Sequence, residues 1–279
     1  MKREFLIIRF HLPEEDPRRE ELVARLALLG FDGFAEETDH LLASAAANTF
    51  TDEARNEVAE MAAQYDIEWE SERIPDQNWN AQWEASYPDV WIDERLRIRA
   101  PFHSSLPGPA LELIIEPKMS FGTAHHPTTF LMLKLLLDLN VTGKKVLDMG
   151  AGTAVLAILA SLKGAAGVNA IDNDSWAYEN ALENVSRNPG ARVEVELGDA
   201  RLLTGRSFDV ILANINRNIL LEDMNHYASV LSPGGLFLLS GFYLSDLDAI
   251  RASALASGLY YQSHLEKETW VAAVFEKPE

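Results

Sequence analysis

VLDMGAGT, residues 146–153, is the stretch whose reading decides the fold. Val146 and Leu147 open a short apolar strand, Asp148 stands near its end, and Gly150 and Gly152 form a turn. An apolar run over residues 154–162 reads as a helix that follows at once. A strand feeding a glycine turn and then a helix lets backbone N–H groups approach a ligand closely. The spacing limits which ligand. A dinucleotide fingerprint, G-x-G-x-x-G, calls for Gly or Ala at position 155, and Val155 stands there. The pattern is instead D-x-G-x-G-x-A, carried by Asp148, Gly150, Gly152 and Ala154.

Two polar residues close later apolar runs. Asp172 ends residues 168–172, twenty residues after Gly152. A carboxylate there can accept both hydroxyls of a ribose. It lies at an exposed strand end, so its removal is expected to leave folding largely unaffected. Asn214 ends FDVILAN, residues 208–214. A glycine turn alone often has a steric origin. With Asp172 and Asn214 at these distances, it resembles the first-strand pattern of S-adenosylmethionine (SAM) methyltransferases.

Composition sets outer bounds. The chain has 279 residues, comfortable for two domains, and 47% hydrophobic residues, enough for a sizeable core. No stretch of eighteen apolar residues exists, so no membrane span is expected. The N-terminus lacks the small-residue cleavage site of a signal peptide. Cysteine is absent, which excludes disulfides, thiolate catalysis and Cys-based zinc sites. These features predict a cytoplasmic protein. A net charge of −19 argues against a large direct footprint on nucleic acid. Residues 1–75 hold eight Lys/Arg against eighteen Asp/Glu, a net of −10. That concentration of charge suits a basic partner, although acidic surfaces also serve solubility alone.

Along the chain, residues 4–10 form a strand and residues 18–29 an amphipathic helix stopped by Gly30. Residues 31–37 and 40–46 read as strands, Thr51 caps a second helix, and residues 67–74 form a last strand. The order βαββαβ predicts a small ferredoxin-like α+β domain over residues 1–75. Residues 76–100 are read as a linker, with Trp79 and Trp83 four apart on one helix face. Residues 101–279 alternate strands with helices, which predicts an α/β, doubly wound, Rossmann-like sheet, closed by a β-hairpin over residues 259–275. The loop PKMSFGTAHHPTTF, residues 117–130, precedes an apolar helix over residues 131–139. Thr128 and Thr129 stand where caps stand. His125 and His126 have no third ligand at metal spacing, so no metal site is expected.

The motifs SFGTAHHPTT, LDMGAGTAVLAI, ANINRN and EKETWVAAVF resemble those of the bacterial ribosomal protein L-eleven methyltransferases, and NWNAQWEASYPDVWI resembles their interdomain segment. The similarity covers residues 76–279 well, and residues 1–75 match in organisation more than in motif. It implies a SAM-dependent enzyme that methylates lysine ε-amines, and often the N-terminal amine, of the basic stalk-base protein of the large ribosomal subunit. It implies a substrate-docking N-terminal domain, and SAM contacts at Thr129, Gly150, Asp172 and Asn214. Two positions depart from the family. Ala124 and Ala154 stand where glycines are usual. The added methyl is tolerated if φ is negative there.

Methyl transfer to an amine is an in-line displacement in which the protein supplies orientation and environment. The amine must be neutral, and lysine has a pKa of about 10.4, so burial must lower it. Asn214 can accept from the amine or contact the methionine part of SAM. No general base is legible. The loop over residues 120–129 is expected to fold over the cofactor, mobile without it and ordered with it. A small-molecule or RNA methyltransferase, or a SAM-binding regulator, are the alternatives on the same fold.

Overall fold

The computed structural model describes residues 4–13, 15–47, 50–75, 86–108, 111–118 and 120–279. Trp79 and Trp83 lie outside the described residues. The chain divides into two compact units, residues 1–87 and 88–279.

In the first unit, strands β1 (Glu4–His11), β2 (Gly33–Glu37), β3 (His40–Ala46) and β4 (Trp69–Pro75) form an antiparallel sheet in the order β2-β3-β1-β4. Helices α1 (Arg18–Leu28) and α2 (Asp52–Tyr65) supply the other half of the core. Alternation decides the faces. Leu6, Ile8 and Phe10 of β1 and Leu41, Ala43 and Ala45 of β3 pack with Leu22, Leu26, Val58 and Met61. Phe5, Ile7 and Arg9 point the other way and stay partly exposed. Thr51 caps α2 by accepting from the Ala54 amide. This is the βαββαβ arrangement read from the sequence.

The second unit is built on seven strands: β8 (Lys145–Met149), β9 (Gly167–Asp172), β10 (Glu194–Leu197), β11 (Phe208–Asn214), β12 (Leu231–Tyr243), β13 (Tyr260–Lys267) and β14 (Trp270–Glu276). Their order is β10-β9-β8-β11-β12-β14-β13. The first five are parallel, and the terminal hairpin adds the antiparallel pair. Helices α3 (Pro127–Asp138), α4 (Val155–Leu162) and α5 (Ser175–Arg187) share one core with Val146, Val210 and Leu212. Helices α6 (Arg217–Val230) and α7 (Leu247–Ala256) share the other with Leu147, Ile211 and Ala213. The sheet is thus covered on both faces, as near-continuous apolar strands require.

Three details differ from the sequence reading. First, residues 88–100, placed in a linker, belong to the second unit. There β5 (Val90–Ile92), β6 (Leu96–Arg99) and β7 (Leu111–Ile114) make a small sheet whose Ile92, Leu96, Ile98 and Leu113 join the first core. Second, α3 begins at Pro127, and its N-cap is His126, whose ring accepts from the Thr128 amide. Proline at the first helical position has no amide to lose. Third, Ala154 lies before α4, in the left-handed region at φ 61°, and Ala124 has φ 69°. The condition under which the added methyls would be tolerated without strain, a negative φ, is not met. Each costs about 1–2 kcal/mol relative to a right-handed residue. Both methyls are buried in the first core, which returns about 0.8 kcal/mol apiece.

Candidate functional site

The strand order reverses between β8 and β11, with β9 and β10 on one side and β12 on the other. Ligands of open α/β sheets gather at the carboxyl ends of strands at such a point. Gly150 follows β8 there, Asp172 ends β9, and Asn214 ends β11. A cavity of about 550 Å³ opens over them, lined by Gly150, Gly152, Asp172, Asp174, Trp176 and Asn214 among others. A second cavity of about 490 Å³ adjoins it, shares Gly150, Asn173, Ile215 and Ile219, and extends to Asp199, Ala200 and Glu222. Together they suit an elongated small molecule.

The glycine turn does not offer a cradle for an anion. The amides of Gly150 and Ala151 donate to the Ile171 carbonyl at 2.8 and 3.1 Å, and that of Gly152 to the Asp172 carboxylate at 2.8 Å. The Thr153 amide donates to the Phe121 carbonyl at 3.0 Å, and that of Ala154 to Ala151 at 2.8 Å. A pyrophosphate would find no free donor in this run. The glycines answer to their neighbours instead. A Cβ on Gly150 would lie 2.1 Å from the Ile215 side chain, and one on Gly152 would lie 2.2 Å from the Phe121 carbonyl oxygen.

Asp148, the acid of the motif, is not in the cavity. It is buried at 1% exposure and caps α4 by accepting from the Ala157 amide at 3.0 Å. Burial pushes its carboxyl up to about 8, the Ala157 amide opposes this, and Asp172 adds to it. Asp172 is half-buried. One oxygen accepts from Gly152 and the other from the Asp174 amide at 3.0 Å. Each oxygen keeps one further acceptor site. Asp174 caps α5 as read, accepting from the Trp176 and Ala177 amides.

Asn214 and Thr129, 85 residues apart, are brought together. The Asn214 amide donates to Thr129 Oγ1 at 3.1 Å. Asn214 Oδ1 is then buried with no partner, on a residue of the cavity wall. A buried acceptor left without a donor is costly, so the site calls for an N–H or O–H from a ligand. Thr129 is 1% exposed and stands behind Asn214.

The loop before α3 is fastened. Thr153 donates through its amide to Phe121 and through its hydroxyl to the Gly122 carbonyl at 2.7 Å, and Ala124 is buried in the core. Ala124 is an anchor that the loop's sequence did not announce. His125 bonds to Thr123 within the loop and to the Pro88 carbonyl outside it, and His126 bonds to Thr128. Among the described residues, no three His, Asp or Glu side chains are grouped to hold a metal ion, and no helix is long and apolar enough to cross a membrane.

A profile of the family described as "Ribosomal protein L11 methyltransferase (PrmA)" matches residues 14–278. The chain belongs to this family. Relatives named ribosomal protein L11 methyltransferase include one from Phocaeicola vulgatus, 43% identical over 88% of this chain and 89% of the relative. One from Porphyromonas gingivalis is 41% identical over 95% of this chain and 94% of the relative. A crystal structure of the ribosomal protein L11 methylase from Lactobacillus delbrueckii subsp. bulgaricus superposes with a TM-score of 0.64 at 22% identity, over 69% of this chain and 99% of that one. This likeness shows the fold. As a member of the L11 methyltransferase family, the chain is a methyltransferase whose cofactor is S-adenosylmethionine.

The residues present fit that cofactor. It carries no phosphate, in keeping with a turn whose amides are already used. It carries ribose hydroxyls, for which Asp172 has open acceptor sites. The wall formed by Asp199, Ala200 and Glu222 was not singled out from the sequence. The signal was present, because Asp199 follows β10 as Asp172 ends β9. Its carboxyl is held down to about 2 by the Arg201 side chain and amide. Trp176, 74% exposed on the cavity edge, was also missed. Within a helical stretch nothing marked it as a wall residue.

Proposed function

We propose that this methyltransferase acts in the cytoplasm on ribosomal protein L11, the basic stalk-base protein of the large subunit for which its relatives are named. The methylated groups are lysine ε-amines and the N-terminal amine. S-adenosylmethionine, when bound, supplies a methyl group on a positively charged sulfur. The chain's part is to hold and desolvate. Asp172 accepts the ribose hydroxyls, Gly150 sets the floor of the cavity, and Asn214, held from behind by Thr129, forms the polar wall. Residues 1–75 form the substrate-recognition domain, and the second unit, residues 88–279, carries the transfer.

The observation that carries this reading is the unpaired Asn214 Oδ1 in the cavity wall. An acceptor at the end of β11 orients an N–H at the reaction centre. Phe121, Trp176, Ile215 and Ile219 surround the same cavity with apolar surface. Only roughly one lysine in a thousand is neutral near pH 7. Apolar walls disfavour the charged ammonium and so raise that fraction. Recognition is supported by the net charge of −10 over residues 1–75. It is also supported by the open sheet face of the first unit, where Ile7 lies beside Glu72.

The test is incubation with methyl-labelled SAM and a bacterial ribosomal extract. Label in ribosomal protein L11, at lysines and the N-terminus, is the expected result. Label in RNA or in small molecules alone would overturn the reading.

A further inference from the structure

Four aromatic rings form a continuous row at the carboxyl edge of the large sheet. Phe121 lines the cavity and is 52% exposed. Its ring centroid is 5.1 Å from that of His126, which is 4.8 Å from Trp270, which is 4.1 Å from Tyr243. Tyr243 is 46% exposed. The row therefore starts in the cavity wall and ends at solvent. Its members come from the loop before α3, the cap of α3, the start of β14 and the end of β12.

The segment that places Trp270 is strained. The hairpin between β13 and β14 turns through Glu268 at φ 52° and Thr269 at φ 70°. Such a turn ordinarily carries Asn-Gly, and a β-branched residue in the left-handed region is an outlier. Strain of this kind persists where surrounding structure imposes it, and it clusters at functional sites. Here the Leu244 amide pins the turn by donating to the Thr269 carbonyl at 2.9 Å. Trp270 is thereby set between His126 and Tyr243. The His126 ring is fixed too, since Nδ1 accepts from the Thr128 amide. Burial lowers its pKa and favours the neutral ring, against the opposing charge of Glu268.

We propose that the rings of Phe121, His126, Trp270 and Tyr243 form the channel for the target side chain, with its methylene chain along the rings and the methylated ammonium held against their faces. This rests on the reading that the chain methylates an amine of a protein. Each transfer forms an N–C bond, breaks the donor's S–C bond and releases one proton from the nitrogen. With each added methyl the nitrogen loses an N–H, until a quaternary ammonium has none. Asn214 then has nothing to accept, and aromatic faces are the surface that still attracts the cation. The row therefore governs how many methyl groups a site receives before release.

The test uses the full-length chain with SAM and unmodified ribosomal protein L11. Trp270→Leu, Tyr243→Ala and Trp270→Phe are compared with wild type. The readouts are KM and kcat, the methyl number per site by mass spectrometry, SAM affinity by calorimetry, and melting temperature. For Trp270→Leu and Tyr243→Ala, KM for the protein rises roughly tenfold and products shift to fewer methyl groups, with SAM affinity unchanged. Trp270→Phe restores both. Tyr243 is a partly exposed side chain, so its variant stays folded even if Trp270→Leu does not. Unchanged KM and methyl number in folded Tyr243→Ala, or losses that follow SAM affinity alone, would overturn the channel. A wild-type enzyme that leaves the protein unlabelled would overturn the earlier reading, and the channel with it.

Discussion

Replacing Asp172 with Ala separates two jobs that one carboxylate performs. Its oxygens hold the Gly152 amide at 2.8 Å and the Asp174 amide at 3.0 Å. The same oxygens have acceptor sites left for the ribose hydroxyls. The expectation that folding is indifferent to this residue therefore gives way to a predicted loss on both counts. Two internal hydrogen bonds contribute about 1–3 kcal/mol together. That lowers the melting temperature by several degrees, at about 2–4 °C per kcal/mol for a domain of 150–250 residues. Losing a charged acceptor for the ribose costs about 1.5–3 kcal/mol, or roughly ten- to hundredfold in SAM affinity. Calorimetric titration with SAM and a thermal melt measure the two. Asp174→Ala is the control. It loses the cap of α5, with bonds to the Trp176 and Ala177 amides, at about 1 kcal/mol of stability, and should lose less SAM affinity than Asp172→Ala. If Asp172→Ala binds SAM as tightly as Asp174→Ala does, the carboxylate is a turn clamp only, and the ribose lies elsewhere.

Thr129→Val keeps shape and removes the hydroxyl that accepts from Asn214. Methylation rate should fall about tenfold or more, and Thr129→Ser should restore it; equal rates for Val and Ser would dismiss the role. Asp148 has a folded pKa of about 8, raised above an unfolded value of about 3.9. The folded state then holds a proton the unfolded state lacks between those values, so stability falls as pH rises through that window. Asp148→Asn lacks this titration, so its stability relative to wild type should climb from pH 5 to pH 8, by at most about 1.4 kcal/mol per pH unit. Parallel stability curves would refute it. Binding of the ribosomal protein should weaken with salt, because exposed charges are screened beyond about 8–10 Å near 0.1–0.15 M. A salt-independent affinity would remove the charge of residues 1–75 from recognition.

The sequence by itself determined the layers and the strand ends. Short apolar runs over residues 4–10 and 40–46, and apolar strands alternating with helices after residue 145, are local patterns, so they could be read locally. Asp172 and Asn214 were legible because each directly closes an apolar run, and parallel strands bring their carboxyl ends to one edge. Only the tertiary structure decided what those residues touch. Asn214 meets Thr129, 85 positions away, and Thr153 ties down Gly122. No spacing rule encodes such pairs, because they depend on how β8, β11 and α3 pack. The sign of φ at Ala124 and Ala154 was likewise invisible. Alanine announces a right-handed residue, and it was the loop and turn packed against each other that forced the left-handed one. The aromatic row lay hidden for the same reason. Phe121, His126, Tyr243 and Trp270 are scattered through the sequence, and the switch point and terminal hairpin bring them to a single edge of the sheet.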